Sequence, residues 1–253
     1  MTLPHSFYEV PLAHRALHDV SDGRPENSRA AISAAIAAGY GIEIDLQLSA
    51  DERPIVFHDY ALERLTGARG AVRLRTADDL AAIPLTGGNE GIPDLPEVLD
   101  LIAGQVPLLI EIKDQDGGMG ADVGALERAT AAALQGYQGP LAVMSFNPHS
   151  VAAMAELLPD VPRGITTSAY RYEDWPLPRS ICDHLRAVPD YDRVGASFIS
   201  HEVSDLAAPR VAALKAQGAM VCCWTVRDIE QETQARAIAD NITFEGYAAA
   251  LGA

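Results

Sequence analysis

The chain has 253 residues, 48% of them hydrophobic and 21% charged, enough apolar surface for one large α/β core or two small ones. Its 19 Lys and Arg against 35 Asp and Glu leave a formal charge of −16, so the surface as a whole repels nucleic acid and anionic lipid, and an anionic substrate needs a local cationic site. No uncharged apolar stretch is long enough for stable membrane insertion, the opening MTLPHSFYEVPLAH lacks a secretory pattern, and Cys182, Cys222 and Cys223 make neither a disulfide framework nor a zinc spacing. A cytoplasmic location follows as the default from the first two points, and the cysteines read as small buried hydrophobes in a reducing compartment.

The first β-type run, Val10 to His14, ends in His14 with Arg15 beside it. A helical pattern, ENSRAAISAAIAAG, follows. Its opening RPENSR has two readings for Glu26 and Asn27: helix-start chemistry with Asn27 as the N-cap, or part of a site. The second strand, Ile42 to Gln47, is apolar except for Glu43 and Asp45, two apart and therefore on one face. Only SADE separates it from RPIVFHD, too short a link for a parallel crossover, so the chain folds back as a hairpin and returns His58 towards Glu43 and Asp45. Residues 60–93 are too long for an ordinary βα loop and read as a small insertion, a lid over the mouth of the fold.

From there strands and helices alternate to the end. Further strands fall at Pro107 to Ile112, Leu141 to Phe146, Arg163 to Thr166, Arg193 to Ile199, Met220 to Thr225 and Asn241 to Phe244, with helical segments between them. This rhythm predicts an α/β fold, a TIM (β/α)8 barrel forming a single catalytic domain over residues 1–253. An open doubly wound sheet is second choice, because no Gly-rich phosphate loop joins the first strand to its helix.

In a barrel the inward side chains near the strands' C-terminal ends form the site. Glu111 and Lys113 in LLIEIKD share a face as Glu43 and Asp45 do. Three carboxylates crowded together make sense around a divalent metal ion, and hard oxygen ligands favour Mg²⁺, Ca²⁺ or Mn²⁺; structural ion bridges to Lys113 or an Arg are the alternative. His14 and His58 at strand ends suit acid/base work on a P–O bond, since imidazole titrates near neutrality, and Arg15 offers a fork for phosphate oxygens. Trp224 in CCWTVRD is core or pocket wall. His5, His18, His149, His184 and His201 read as solvated residues of loops or helices, with His18 the one nearest a site strand.

Taken together, HR at Arg15, PEN at Asn27, EIDLQLSADERPIVFHD, LERLTG, IPDLPEVL, EIK and WTV resemble the glycerophosphodiester phosphodiesterase family, in the family's order over nearly the whole chain. The resemblance implies metal-dependent hydrolysis of a small-molecule glycerophosphodiester to an alcohol and sn-glycerol 3-phosphate. By position it assigns Glu43, Asp45 and Glu111 to the metal, His14 and His58 to acid/base catalysis, and Arg15 and Lys113 to the phosphate. Trp224 lines the glycerol side, and Glu26 and Asn27 support the centre. Two departures stand out: Ala16 follows HR where the family has glycine, narrowing backbone freedom, and DNITFEGY replaces an aspartate-proline ending, which puts the last strand's part in question. The rivals are a lysophospholipase D, a metal-dependent lyase or aldolase using Lys113, and a phospho-ligand sensor without activity. Oligomeric state is left open.

Overall fold

The structure, a computed structural model, describes residues 2–252. Its strands are β1 (Leu12–Ala13), β2 (Gly41–Leu48), β3 (Pro54–Val56), β4 (Leu108–Ile112), β5 (Leu141–Ser145), β6 (Arg163–Thr167), β7 (Phe198–Glu202), β8 (Met220–Val226) and β9 (Asn241–Phe244). All but β3 run parallel in a sheet that closes where β1 pairs with both β9 and β2. The result is the expected TIM barrel.

β1 covers only the first two residues of its edge of β2, from Leu12 opposite Gly41 to Ala13 opposite Ile42. The rest of that edge takes β3 as an antiparallel hairpin, with Leu46 opposite Val56 and Leu48 opposite Pro54. The short SADE link therefore forces the fold-back that its length predicted, and β3 rides on top of the barrel rather than entering it.

Alternation along the strands separates two cores. Ile42, Ile44, Leu46, Ile110, Ile112, Val143, Ile165, Ile199, Val221 and Ile242 face outward into one large cluster with the helices. The inward residues Leu12, Leu109, Ala142, Phe198, Met220 and Cys222 form a smaller cluster inside the barrel. Leu3 and Phe7 join it, the latter from the short helix Ser6–Glu9, which closes the barrel floor. The Asn241 amide holds that plug by donating to the carbonyls of Phe7 and Val10, both at 2.8 Å. Apolar below, the interior turns polar one layer up, where His14, Glu43, Asp45, Glu111 and Thr243 follow in the same inward series.

Several sequence expectations shift. The first strand spans two residues, not Val10 to His14, although His14 N–H still donates to the Phe244 carbonyl at 2.9 Å. The strand expected at Arg193 to Ile199 begins at Phe198, because Val194 and Gly195 bond back to Asp190 and Asp192 in a tight turn with Gly195 at φ +60°. His201 is consequently a buried strand residue, 5% exposed and bonded to Thr167 and Asp205, instead of a solvated one. Asn27 is not an N-cap: Ser28 caps helix Arg29–Ala38 by accepting from Ala31 N–H. Residues 60–93 carry a short helix, Ala77–Ala81, and a core of their own in which Leu62, Val72, Leu80, Leu85 and Ile92 pack on Ile55 and Phe57. All three cysteines are free and buried, and among the described residues no helix is long and apolar enough to cross a membrane.

Candidate active site

At the C-terminal end of the strands the barrel opens into a cleft of about 130 Å³ lined by His14, Arg15, Glu43, Asp45, His58, Glu111, Lys113, Phe146, Trp224, Arg227 and others. Parallel pairing sets Asp45 directly opposite Glu111, and Glu43 lies one inward position below. One oxygen from each of the three carboxylates lies within 4.8 Å of the others. All three are at most 5% exposed, a burial that like charges tolerate only with compensation.

The compensation is incomplete. Lys113 bridges Asp45, at 2.7 Å, and Glu111. Burial works against its charge, but the two carboxylates outweigh this and hold the ammonium above the ordinary lysine range. Asp45 also sits 3.6 Å from the Arg15 guanidinium. Burial raises Asp45, yet the charges of Lys113, His58 and Arg15 prevail and keep it well below the usual carboxylate range. Among the described residues the Glu43 carboxylate accepts only the Arg15 backbone N–H, at 2.9 Å; burial and the neighbouring Asp45 and Glu111 push it well above its ordinary value. An all-oxygen set with one carboxyl forced towards protonation fits a hard divalent cation, whose charge would make all three carboxylates tolerable as anions. The cluster is thus able to hold a metal ion.

Local backbone geometry explains the residues around it. Arg15 and Ala16 lie at φ +52° and +63°, and Asn27 at φ +58°. Asn27 is among the residues that accept this left-handed region most readily, and its amide spans Asp45, donating from Nδ2 to Oδ2 at 3.0 Å while its Oδ1 accepts the Asp45 N–H at 3.4 Å. Ala16 occupies the left-handed turn without glycine, its N–H donating to the Glu43 carbonyl at 3.0 Å.

His14 and His58 face the cleft from different loops, each backed by a carboxylate. His14 Nδ1 lies 2.6 Å from Glu245 Oε2, and Arg227 holds the other Glu245 oxygen at 2.8 Å. Burial lowers the His14 pKa, an effect Glu245 partly offsets; contacts with His14 and His18 hold Glu245 well below the carboxylate range. His58 Nδ1 lies 2.6 Å from Asp59 Oδ1. Arg64 grips Asp59 at 2.6 and 2.7 Å and Glu26 at 2.8 Å twice, and Glu26 in turn accepts from Arg15 at 2.9 Å. One chain of charges thus ties the His58 loop to the Arg15 loop. Trp224 donates from Nε1 to the Ser200 carbonyl at 3.0 Å and meets Phe146 edge-on at 5.5 Å, forming one wall.

The sequence-selected residues therefore converge, with differences in detail. Glu26 pairs with Arg15 and Arg64 rather than joining the carboxylate cluster, and Lys113 lies inside that cluster. His18 reaches Glu245 at 3.5 Å, whereas the His5 side chain is 84% exposed and lies 3.5 Å from Glu9, away from the site. Asp59 is the second half of the HD pair that ends the β3 hairpin, whereas the sequence motifs assign no role to Glu245, Arg64 or Arg227. The continued spacing Asn241, Thr243, Glu245 was the available signal for Glu245, and its contact with His14 answers the question raised by the atypical ending.

Residues 14–244 match the model of the glycerophosphoryl diester phosphodiesterase family. Among curated proteins, YhdW of Bacillus subtilis is 28% identical over 235 residues, covering 89% of this chain and 88% of that one. The glycerophosphodiester phosphodiesterase of Caldanaerobacter subterraneus subsp. tengcongensis is 30% identical over 173 residues, 65% of this chain and 69% of its own. Among solved structures, a phosphodiesterase of Oleispira antarctica in complex with the product sn-glycerol-3-phosphate superposes with a TM-score of 0.75 at 24% identity, covering 96% of this chain and 93% of that one. A glycerophosphodiester phosphodiesterase of Parabacteroides distasonis gives 0.72 at 20%, covering 93% and 92%. At these identities the structural likeness carries the fold.

Proposed function

This chain belongs to the glycerophosphoryl diester phosphodiesterase family and is an enzyme of that type, and we propose that it hydrolyses glycerophosphodiesters to an alcohol and sn-glycerol 3-phosphate by metal-assisted, two-histidine acid/base catalysis. The observation that carries this reading is the convergence of Glu43, Asp45 and Glu111, within 4.8 Å of one another, in the same cleft as His14 and His58. The product bound to the Oleispira antarctica enzyme supports the identity of the phosphorylated product.

Glu43, Asp45 and Glu111 would hold the divalent ion, Mg²⁺, Ca²⁺ or Mn²⁺. When bound, it supplies Lewis-acid stabilisation of negative charge on phosphate oxygens. Arg15 and Lys113 bring fixed positive charge to the same rim, where charge grows as the P–O bond breaks. Glu245 takes the Nδ1 face of His14 and Asp59 that of His58, which leaves each Nε2 for the reaction. One imidazole accepts the proton of the attacking oxygen, the new O–P bond forms, and the other donates a proton to the departing alkoxide as the P–O bond breaks, so that the pair exchange protonation states in this step and proton exchange with water resets them before the next turnover. His14, whose protonated form burial disfavours, suits the accepting role. Trp224 would flank the glycerol moiety, with Glu26 and Asn27 holding Arg15 and Asp45 in place. Residues 60–93 act as a lid within a single catalytic domain, and the free buried cysteines fit a reducing, cytoplasmic setting.

The deciding experiment incubates the purified protein with glycerophosphocholine, with and without EDTA, and measures sn-glycerol 3-phosphate. We expect product that EDTA abolishes and added divalent ion restores, and loss of turnover in folded His14→Ala and His58→Ala proteins. Near-normal activity of either variant refutes the acid/base pair; no product from any head group with any of the three ions refutes the activity.

A further inference from the structure

A second cavity, of about 320 Å³, opens beside the cleft and shares His58, Glu111, Lys113 and Phe146 with it. Its own walls are Tyr60, Met119 and Trp175, with the backbone of Ile112 and the carboxylates of Asp59 and Asp114 at its edge. Phe146 and Trp175 pack at 5.1 Å between ring centroids, and Trp175 meets the buried Tyr170 at 4.7 Å with the two rings tilted by 45°. The aromatic wall is thus backed by the fold rather than loose. The Met119 wall is tied as well: Asp114 accepts the Met119 N–H at 3.2 Å, and Asn147 donates to Asp114 and to the Gly120 carbonyl at 2.7 and 2.8 Å.

The charged groups at this cavity are already engaged. Asp59 is held by Arg64 and His58, Glu111 by Lys113, and Asp114 by Asn147. What remains for a ligand is chiefly aromatic and thioether surface, which rewards apolar atoms and offers a polar alcohol few exchange partners for its lost water. Trp224, on the wall of the first cleft, does not reach the second.

Resting on the phosphodiesterase reading above, we propose that this cavity receives the leaving alcohol and selects an apolar one, a short alkyl or aryl alcohol esterified to glycerol 3-phosphate, over the charged or polyhydroxylated alcohols. With the phosphate at the carboxylate cluster and the glycerol towards Trp224, the alcohol oxygen departs past His58, the histidine common to both cavities. The P–O bond to the alcohol breaks, its electron pair stays on the alcohol oxygen, and His58 supplies the proton; the oxygen of the nucleophile takes the place on phosphorus. The freed alcohol then leaves from this second cavity.

The test uses the whole protein with added divalent ion and a series of sn-glycerol-3-phospho-alkanols, ethyl, butyl and hexyl, alongside glycerophosphocholine and glycerophosphoethanolamine. Leaving-group acidity is nearly constant along the alkyl series, so a trend reports the cavity. We expect kcat/KM to rise about fourfold per added methylene through hexyl, and the hexyl diester to exceed both amine head groups. Trp175→Ser and, on the outer loop where folding is least at risk, Met119→Gln should each flatten that slope. A flat alkyl series, or preference for either amine diester, overturns the apolar pocket while leaving the phosphodiesterase reading intact. A slope unmoved in folded Met119→Gln and Trp175→Ser proteins overturns the assignment to this cavity, and failure to cleave any diester overturns the activity on which it depends.

Discussion

Replacing Glu245 by Gln tests whether the carboxylate behind His14 acts on the reaction or only on the fold. His14 Nδ1 and Glu245 Oε2 lie 2.6 Å apart with side chains 13% and 20% exposed, so solvent screens the contact little. A hydrogen bond to a charged partner in such a setting contributes about 1.5–3 kcal/mol. That stabilisation is greatest when His14 is protonated, the state it reaches after accepting a proton in the transition state, so most of it should appear in the barrier. At about 1.4 kcal/mol per tenfold in rate, Glu245→Gln should lower kcat roughly 10- to 150-fold. Burial already depresses the His14 pKa and Glu245 partly restores it, so removing the carboxylate must depress it further. The acid limb of kcat/KM should therefore move to lower pH. The assay is sn-glycerol 3-phosphate release from pH 5 to 9, with Glu245→Asp as a partial rescue. Wild-type kcat with an unmoved acid limb in folded Glu245→Gln protein would refute the reasoning, whatever happened to stability.

Three further outcomes follow from the geometry. A divalent ion that binds only the folded carboxylate cluster should raise the melting temperature, by about 2.7 kcal/mol of stability at 100 times its Kd, or roughly 5–10 °C for a chain of this size; Glu43→Gln should abolish most of the shift, and absence of any shift with Mg²⁺, Ca²⁺ and Mn²⁺ would remove the proposed site. Gly164→Ala would place a methyl 2.4 Å from the Phe198 ring inside the barrel floor, so chemical denaturation should show a loss of about 1–3 kcal/mol, and an unchanged midpoint would mean the floor is not packed as described. Burial lowers the His201 pKa, with Asp205 only partly opposing it; because the unfolded chain then binds more protons, this histidine's contribution to stability is full above about pH 6.5 and is lost as pH falls. Urea midpoints between pH 8 and 5 should therefore fall less steeply in His201→Gln than in the parent, and identical slopes would sink that account.

The division between sequence and tertiary structure follows interaction range. Strand and helix rhythm is local, so the barrel was legible from alternating apolar runs, and the hairpin at β3 from a link too short for any other connection. Glu43 with Asp45, and Glu111 with Lys113, were legible for the same reason: residues two apart on a strand share a face whatever surrounds them. The start of β7 was not, because the turn at Gly195 consumes residues whose composition reads as strand. Nor was the burial of His201, which depends on that register. Asn27 looked like a helix cap because caps are defined by neighbours in sequence, while its actual partner, Asp45, is 18 residues away.

Contacts between distant segments belong to the closed barrel alone. Glu245 meets His14 across 231 positions only because β9 pairs with β1, and Arg64 joins Glu26 to Asp59 only because β3 folds back over β2. Sequence by itself determined which chemical groups the chain could bring to one rim of the barrel, since backbone periodicity orients side chains without knowledge of the fold. Asp59 behind His58 is its sequence neighbour, but closure of the sheet decided that Glu245 stands behind His14 and which aromatic rings border the second cavity, because those distances are set by strand register and loop packing that no short window contains.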